Sequence, residues 1–182
     1  NVDYDLAFCP ERTLEGVALK ELRTLPQIVG ANDIRSRTRA AQLFQFLTPT
    51  VVRVDSWETA EMIKLVDNTQ RDVNFAFSNE IARLCDEVGI SASEVIEAGK
   101  LGYPRTNLPL PGLVGGPCLA KDSYILAESM EPFGIVPEIA IAARKLNERQ
   151  PLEVIAKLSE IIASAGGFAG NQEITVAGIA FK

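Results

Sequence analysis

Residues 57–87 have the sequence WETAEMIKLVDNTQRDVNFAFSNEIARLCDE, and Gly89 follows shortly afterwards. The segment contains neither glycine nor proline, the two residues that most strongly disfavour a helix interior. Because no breaker occurs over this length, the segment predicts one long helix that ends at Gly89. The centre of the chain is therefore predicted to be helical.

Three more helices are predicted on the C-terminal side of this segment. Ser91 and Glu94 form a capping box, a pattern that opens a helix. A second helix is predicted at about residues 122–131. The last spans about residues 137–163, where Pro151 is expected to interrupt and kink it, because proline removes a backbone donor and clashes with the preceding turn.

Short apolar runs flank the helical centre and predict strands. A strand of a parallel sheet is buried on both faces and is therefore apolar throughout. Between two of these runs, apolar residues recur at helical spacing from about Ser36. The first 54 residues thus predict strand, strand, helix, strand, which is typical of an α/β layer. The predicted strands lie at residues 4–8, 28–29, 51–54 and 175–180.

We therefore predict a mainly α central domain, residues 55–166, flanked by partial α/β pieces at residues 1–54 and 167–182. The last predicted strand has no partner after it in the sequence. We expect an internal piece of a longer, multidomain protein. The alternative is that the two end strands pair with strands inside the chain.

The composition excludes several classes of function. The chain has 182 residues, 47% of them hydrophobic and 23% charged, which is enough apolar surface for a core. The net charge of -6 argues against nucleic acid or an anionic membrane as the main partner. Three cysteines fit a reducing cytosol rather than a disulfide scaffold. Because there is no histidine, a Ser-His-Asp triad, a Cys-His pair and a histidine-ligated zinc site are all excluded.

The strongest candidate site is the segment Gly-Gly-Pro-Cys-Leu-Ala-Lys-Asp at residues 115–122. The glycines allow tight turns and a close approach of the backbone to a ligand. Cys118 precedes a predicted helix, whose unpaired N–H groups and dipole favour a thiolate, and Lys121 adds a positive charge. The alternative is a glycine-rich loop with a buried structural cysteine. Cys9 and Cys85 are more simply explained as core thiols.

Lys64 and Asn68 lie one turn apart on the predicted long helix. An ammonium and an amide on one face could hold a developing oxyanion. The alternative is a solvated helix face on which Glu61 pairs with Lys64.

Two further segments carry polar groups. Cys-Pro-Glu-Arg-Thr-Leu-Glu-Gly, residues 9–16, follows the first predicted strand, and in open α/β sheets ligands bind at the carboxyl ends of strands. Its carboxylates and arginine could bind a sugar and activate water, or the segment could be a polar loop with a helix start. Tyr-Pro-Arg at residues 103–105 would by itself be an exposed turn.

Taken in order, these four motifs resemble the UDP-glucose/GDP-mannose dehydrogenase family of nucleotide-sugar 6-dehydrogenases. The closing Gly-Ile-Ala-Phe-Lys, residues 178–182, resembles the first strand of that family's C-terminal domain. The resemblance implies that residues 1–54 are the C-terminal end of an NAD-binding Rossmann domain. It also implies that residues 55–166 are the central helical domain for dimerisation and catalysis, and that residues 167–182 begin the UDP-sugar-binding domain.

The resemblance implies an NAD-dependent, two-step oxidation of a sugar C6 hydroxyl to a uronic acid through a thioester. Cys118 would be the nucleophile, Lys64 and Asn68 would stabilise oxyanions, and Glu11 would be the base that activates the hydrolytic water. Asp122 would orient Lys64 or that water. No Gly-x-Gly-x-x-Gly fingerprint occurs in the 182 residues. We therefore expect these residues alone to produce no NADH.

The resemblance also implies binding residues and a cytoplasmic homodimer that assembles through the central helices. Glu15 and Lys121 would approach NAD, and Arg105 would reach the nucleotide sugar across the dimer. No metal is implied. The substrate contacts implied in this way are Arg12, Thr13, Leu14, Arg105, Pro109, Gly112, Gly115, Phe181 and Lys182.

The sequence also bears on the substrate. Glu11-Arg12-Thr13 resembles the N-acetylhexosamine branch, which favours UDP-N-acetylmannosamine or UDP-N-acetylglucosamine over UDP-glucose. Ala120 replaces a proline that many members have. One rival interpretation is the helical domain of a 6-phosphogluconate-type hydroxyacid dehydrogenase, which also has Lys-x-x-x-Asn but needs no nucleophilic cysteine. The other is a non-catalytic dimerisation module.

Overall fold

The computed structural model describes residues 4–167 and Thr175. The chain divides into two compact units, one up to Asp67 and one from Asn68 onward. The predicted strand at 175–180, together with Phe181 and Lys182, lies outside the described residues apart from Thr175. The predicted domain boundaries after residues 54 and 166 therefore stay predictions.

The first unit is built around two parallel strands. Strand β1 (Gln27–Gly30) pairs with β2 (Val51–Val54), with Gln27 opposite Val51. Helix α2 (Ile34–Phe44) connects them. Asp33 caps its N-terminus, where the Asp33 carboxylate accepts a 2.8 Å hydrogen bond from the Ser36 N–H. The prediction of strand, helix and strand in this region is confirmed.

Two features of the first unit differ from the prediction. Residues 4–8 do not form a strand. Only Phe8 pairs, in an antiparallel bridge with Gly30, while Tyr4 is 79% exposed and so lacks the cover that a buried strand needs. An additional helix, α1 (Ala18–Thr24), is present. It consists largely of strong helix formers and ends just before Pro26, and these two signals could have identified it.

Gly30 lies where β1 meets the first turn of helix α3 (Trp57–Val88). A Cβ atom at Gly30 would lie only 2.6 Å from the Cβ of Ala60, and closer still to the carbonyl oxygen of Ser56. Any side chain at this position would therefore displace the start of α3. The absence of a side chain at Gly30 allows the helix to begin against the strand.

The second unit is helical. Its described residues form the part of α3 from Asn68 onward, α4 (Ala92–Lys100), α5 (Leu119–Met130), a 3-10 turn (Glu131–Phe133) and α6 (Glu138–Ser164). The prediction of a mainly α centre flanked by a small α/β piece is confirmed. In the described part of the chain no helix is both long enough and apolar enough to cross a bilayer.

The helix ends in the second unit follow from local sequence. Gly89, with φ of +70°, ends α3, and the Ser91 hydroxyl accepts a 3.2 Å hydrogen bond from the Glu94 N–H to open α4. Helix α5 begins at Leu119, earlier than the predicted residue 122. Helix α6 continues through Pro151, so the predicted interruption is wrong. Proline removes only one backbone donor, and the turns on either side keep their own hydrogen bonds.

Candidate active site

In the first unit, Lys64 and Glu11 lie together. The Lys64 ammonium donates a 2.7 Å hydrogen bond to the backbone carbonyl oxygen of Glu11. The Glu11 carboxylate accepts hydrogen bonds from the hydroxyl and the backbone N–H of Thr13. The Thr13 hydroxyl contributes most to lowering the pKa of Glu11, and the Thr13 N–H and the charge of Lys64 act in the same direction. Glu11 is therefore held in its ionised form, which is the form that a general base requires.

The rest of the segment at 9–16 is fixed by its own contacts. The Arg12 guanidinium lies 3.1 Å from the Asp67 carboxylate and donates a 2.9 Å hydrogen bond to the carbonyl oxygen of Pro26. The Leu14 N–H donates a 2.6 Å hydrogen bond to the Glu21 carboxylate. Glu15 is exposed. Glu11 and Leu14 are exposed as well, so part of this segment lies at the protein surface.

In the second unit, Cys118 occupies the N-cap position of α5 and is exposed. The N–H of Asp122 donates a 3.0 Å hydrogen bond to the Cys118 carbonyl oxygen. Gly116 precedes it with φ of +89°, a conformation that glycine adopts at little cost. The exposure excludes the buried structural cysteine that the sequence left open at position 118. Cys85 is buried, and Cys9 is half-buried, which raises the pKa of the Cys9 thiol.

Asp122, in the first turn of α5, is 1% exposed and has two partners. One of its carboxylate oxygens accepts a 2.6 Å hydrogen bond from the Asn68 side-chain amide. The other accepts a 2.7 Å hydrogen bond from the Lys121 ammonium, and this bond raises the pKa of Lys121. Asp122 was predicted to orient Lys64 or a water molecule, and the structure gives it Asn68 and Lys121 as hydrogen-bond partners.

The loop between α4 and α5 contains the other predicted contact residues. The Arg105 guanidinium lies 4.3 Å from the centre of the Tyr103 ring, in an exposed turn. Pro109 is half-buried, and Gly112 makes backbone hydrogen bonds to Asn79. A Cβ at Gly115 would meet open space. The structure thus pairs Glu11 with Lys64 in one unit and Asn68 with Asp122 in the other. Convergence of all these residues with Cys118 in one cleft stays a prediction.

Sequence reasoning missed a set of buried polar residues behind the Cys118 loop. We call Asp72, Asn79, Arg144 and Asn147 the buried polar cluster, since each is at most 2% exposed. Asp72 lies one turn after Asn68, and Asn79 lies two turns after Asp72. Polar residues that recur at helical spacing along one face of α3 could have indicated the two cluster members on that helix, Asp72 and Asn79. Across residues 4–167 and 175, no cluster of three or more carboxylates or thiols is placed to hold a metal ion.

The sequence model of the UDP-glucose/GDP-mannose dehydrogenase family, central domain, matches residues 58–149. The chain belongs to this family. The family match spans α3, α4, the loop with Cys118, α5 and the first part of α6. The resemblance inferred from the four motifs is thereby confirmed.

Individual relatives agree with the family assignment. A UDP-N-acetyl-D-mannosamine dehydrogenase of Methanocaldococcus jannaschii is 36% identical over 179 residues, which cover 97% of this chain and 39% of that protein. The structure of a UDP-D-ManNAc dehydrogenase from Pyrococcus horikoshii matches with a TM-score of 0.81 and 34% identity, over 88% of this chain and 38% of that chain. A UDP-glucose dehydrogenase structure from Pyrobaculum islandicum matches with a TM-score of 0.74 and 25% identity, over 90% of this chain and 38% of that chain. The chain spans about two fifths of the length of the curated relatives it matches.

Proposed function

We propose that the full-length protein oxidises the C6 hydroxyl of a nucleotide sugar to a carboxylate in two steps, with a thioester on Cys118. The observation that carries the proposal is the exposed Cys118 at the start of α5, one turn before a buried Asp122 that is bonded to Asn68 and Lys121. A thiol in this position, within this family, suits covalent capture of an aldehyde.

The proposed reaction has four steps, which are two hydride losses, the addition of Cys118 between them and a final hydrolysis. The C6 alcohol loses a hydride and its hydroxyl proton and becomes an aldehyde. The Cys118 sulfur forms a bond to the aldehyde carbon, and the carbonyl oxygen takes up a proton to give a thiohemiacetal. Loss of a second hydride and of that proton gives the thioester. Water then adds to the carbonyl carbon, the C–S bond breaks, and the thiolate leaves a carboxylate behind.

Each of the two hydrides would go to its own NAD molecule, so one sugar would consume two NAD in turn. Lys121 and Glu15 are the residues of this chain that we propose to approach NAD. The Lys121 side chain is 58% exposed, and its ammonium has the right charge for a polyanionic dinucleotide. The Lys121 ammonium therefore fits the phosphates of such a ligand. The Gly-x-Gly-x-x-Gly turn that would hold its pyrophosphate does not occur in the 182 residues, so we still expect no NADH from this chain alone.

The remaining chemistry falls to four residues of the chain. Lys64 and Asn68, one turn apart on α3, would stabilise the oxyanions that form at C6. Glu11, ionised because Thr13 and Lys64 lower its pKa, would take a proton from the hydrolytic water. Asp122 would hold the Asn68 amide in the orientation that this role needs.

The substrate proposed is UDP-N-acetylmannosamine or UDP-N-acetylglucosamine, with UDP-glucose as the less favoured sugar. The Glu11-Arg12-Thr13 pattern and the names of several relatives support this choice. The nucleotide sugar would contact the loop at 109–115 and the segment at 12–14, with Phe181 and Lys182. Arg105 would reach it across a cytoplasmic homodimer.

The two rival interpretations give Cys118 no role. A single-oxidation hydroxyacid dehydrogenase and a dimerisation module need no thiol there, and neither explains why Cys118 is exposed at the start of α5. Family membership adds to the case against both.

The test is a panel of UDP-N-acetylmannosamine, UDP-N-acetylglucosamine and UDP-glucose with NAD and the full-length protein. We expect two NADH for each sugar oxidised and loss of the overall reaction in Cys118→Ala, with Cys85→Ala as the control. One NADH per sugar, unaffected by Cys118→Ala, would refute the thioester route and favour the single-oxidation rival.

A further inference from the structure

The loop that carries Cys118 contains few side chains that could hold it in place. Gly115 and Gly116 precede Pro117 and Cys118, and a Cβ at Gly115 would meet nothing within 4 Å. Such a segment has high conformational entropy unless its backbone is tied down. In the structure its backbone carbonyls on both sides of the cysteine are bonded to the buried polar cluster.

Asn79, on α3, holds the loop at Gly112, six residues before Cys118. Its side-chain nitrogen donates a 3.0 Å hydrogen bond to the Gly112 carbonyl oxygen, and its side-chain oxygen accepts a 2.8 Å hydrogen bond from the Gly112 N–H. One amide side chain therefore satisfies both backbone groups of the same residue. This paired contact fixes the orientation of the loop as well as its position.

Arg144, on α6, spans the remainder of the loop. One guanidinium nitrogen donates a 3.2 Å hydrogen bond to the Leu119 carbonyl oxygen, and the other donates a 3.2 Å hydrogen bond to the Val114 carbonyl oxygen. These carbonyls lie on either side of Cys118 in the sequence. The planar guanidinium fork has several fixed donors, whereas a lysine ammonium on its flexible stem cannot reproduce that geometry.

The guanidinium is itself held from behind. The guanidinium nitrogen of Arg144 that is bonded to Leu119 also lies 2.8 Å from a carboxylate oxygen of Asp72, on α3. The Asn147 side chain donates 2.9 Å hydrogen bonds to the same carboxylate oxygen and to the Asp72 backbone carbonyl oxygen, and it accepts a 3.1 Å hydrogen bond from Asn79. The buried polar cluster thus links α3, α6 and the loop in one connected network.

We propose that Arg144 and Asn79 are positioning residues for Cys118, with Asp72 and Asn147 orienting them. Neither residue has a part in the chemistry described above. Both bond to backbone groups of the loop, and the loop carries the nucleophile. The chemical consequence rests on the proposed function: a thiol held in place captures the aldehyde before it leaves, and a thiol on a released loop does not.

The test uses Arg144→Lys in the full-length protein. This variant keeps a positive charge for Asp72 but cannot span the two carbonyls. Asn79→Asp is the second variant, because its carboxylate still accepts from the Gly112 N–H but no longer donates to the Gly112 carbonyl. Ala140→Gly is the matched control: it weakens α6 one turn before Arg144 and removes no bond to the loop. Circular dichroism identifies the variants that fold.

Two measurements then test whether the buried polar cluster positions Cys118. The first is the rate at which iodoacetamide alkylates Cys118, followed by mass spectrometry of its peptide. The second is the amount of free sugar aldehyde trapped by 2,4-dinitrophenylhydrazine during oxidation. In the folded cluster variants we expect iodoacetamide to alkylate Cys118 at a rate different from that in the unaltered protein. We also expect the rate of overall oxidation to fall by up to about 100-fold and free aldehyde to be released. Ala140→Gly should resemble the unaltered protein in both measurements.

The proposal would be overturned by a folded Arg144→Lys or Asn79→Asp protein with alkylation like that of the control. It would also be overturned by a cluster variant that oxidises the sugar as fast as the unaltered protein and releases no aldehyde. Absence of any sugar oxidation by the unaltered protein would instead refute the proposed function, and the alkylation rates would still decide whether the cluster positions Cys118.

Discussion

The Asn68 side-chain nitrogen donates a 2.6 Å hydrogen bond to the Asp122 carboxylate. An ionised carboxylate only accepts hydrogen bonds, so it binds the amide nitrogen of Asn68 and not the amide oxygen. The bond therefore selects one of the two orientations of the Asn68 amide. Under the proposed function, the second N–H of that amide would donate to the oxyanion at the sugar C6.

We predict that Asp122→Asn lowers kcat for overall oxidation by about 100-fold, as expected when a donor to an oxyanion is lost or misplaced. The substitution keeps the volume of the side chain but allows the Asn68 amide to turn over, and it removes the charge beside Lys121. Steady-state kinetics would measure the effect. Asp86→Asn, at an exposed carboxylate 3.8 Å from Lys157, is the control and should leave kcat unchanged. Equal rates in the two variants would contradict the role given to Asp122.

Thr13→Val should move the acid limb of the pH–rate profile to higher pH. The Thr13 hydroxyl is the largest cause of the lowered pKa of Glu11, because it stabilises the ionised carboxylate. Without it the pKa of Glu11 rises, so the base becomes protonated at a higher pH and is lost earlier as the pH falls. The pH dependence of carboxylate formation measures this shift. Thr24→Val, which removes a hydroxyl bonded only within α1, should leave the profile in place.

Arg144→Met should destabilise the fold by about 3–5 kcal/mol, because it leaves the buried carboxylate of Asp72 without its charged partner. Denaturant unfolding followed by circular dichroism would measure the change. Arg149→Met is a matched substitution on the same helix, where the arginine is 60% exposed and lies 3.8 Å from Glu153. Arg149→Met should lower the free energy of unfolding by less than about 1 kcal/mol. A small effect at both positions would show that the buried ion pair adds little.

Ile155→Glu should shift the full-length protein from dimer to monomer in light scattering. Ile155 is 59% exposed on α6, and Ile139, Leu152 and Ile161 on the same helix are exposed as well. Burial of such side chains against a second copy is favourable, whereas a buried carboxylate without a partner is costly. Lys157→Glu, a change of charge on the same helix, is the control. A protein that is monomeric before any substitution would refute the proposed homodimer.

The sequence predicted the parts of the fold that depend on local rules. The long α3 follows from a segment without glycine or proline, and α4 follows from the capping pair Ser91 and Glu94. The strand predicted at residues 4–8 was wrong because a short apolar run does not specify whether a neighbouring strand will cover it. The position of such a neighbour is decided by the tertiary structure.

The candidate site was predictable only in part, for a similar reason. Cys118 and Asp122 could be identified because they lie in a glycine-rich motif next to a helix start. Arg144 could not, since an arginine in a polar stretch of a helix is usually solvated. Only the folded second unit shows that this arginine is buried and bonded to the loop.

The contact between Gly30 and Ala60 gives one position an importance that its chemistry does not suggest. Ala60 lies one turn before Lys64, whose ammonium is bonded to the Glu11 carbonyl oxygen. A methyl group at position 30 would push the helix away from the strand and draw the ammonium with it. In a library of random variants selected for turnover, position 30 should therefore tolerate substitution as poorly as a position that touches the sugar. A glycine with no functional group would then behave, in such a selection, like part of the catalytic apparatus.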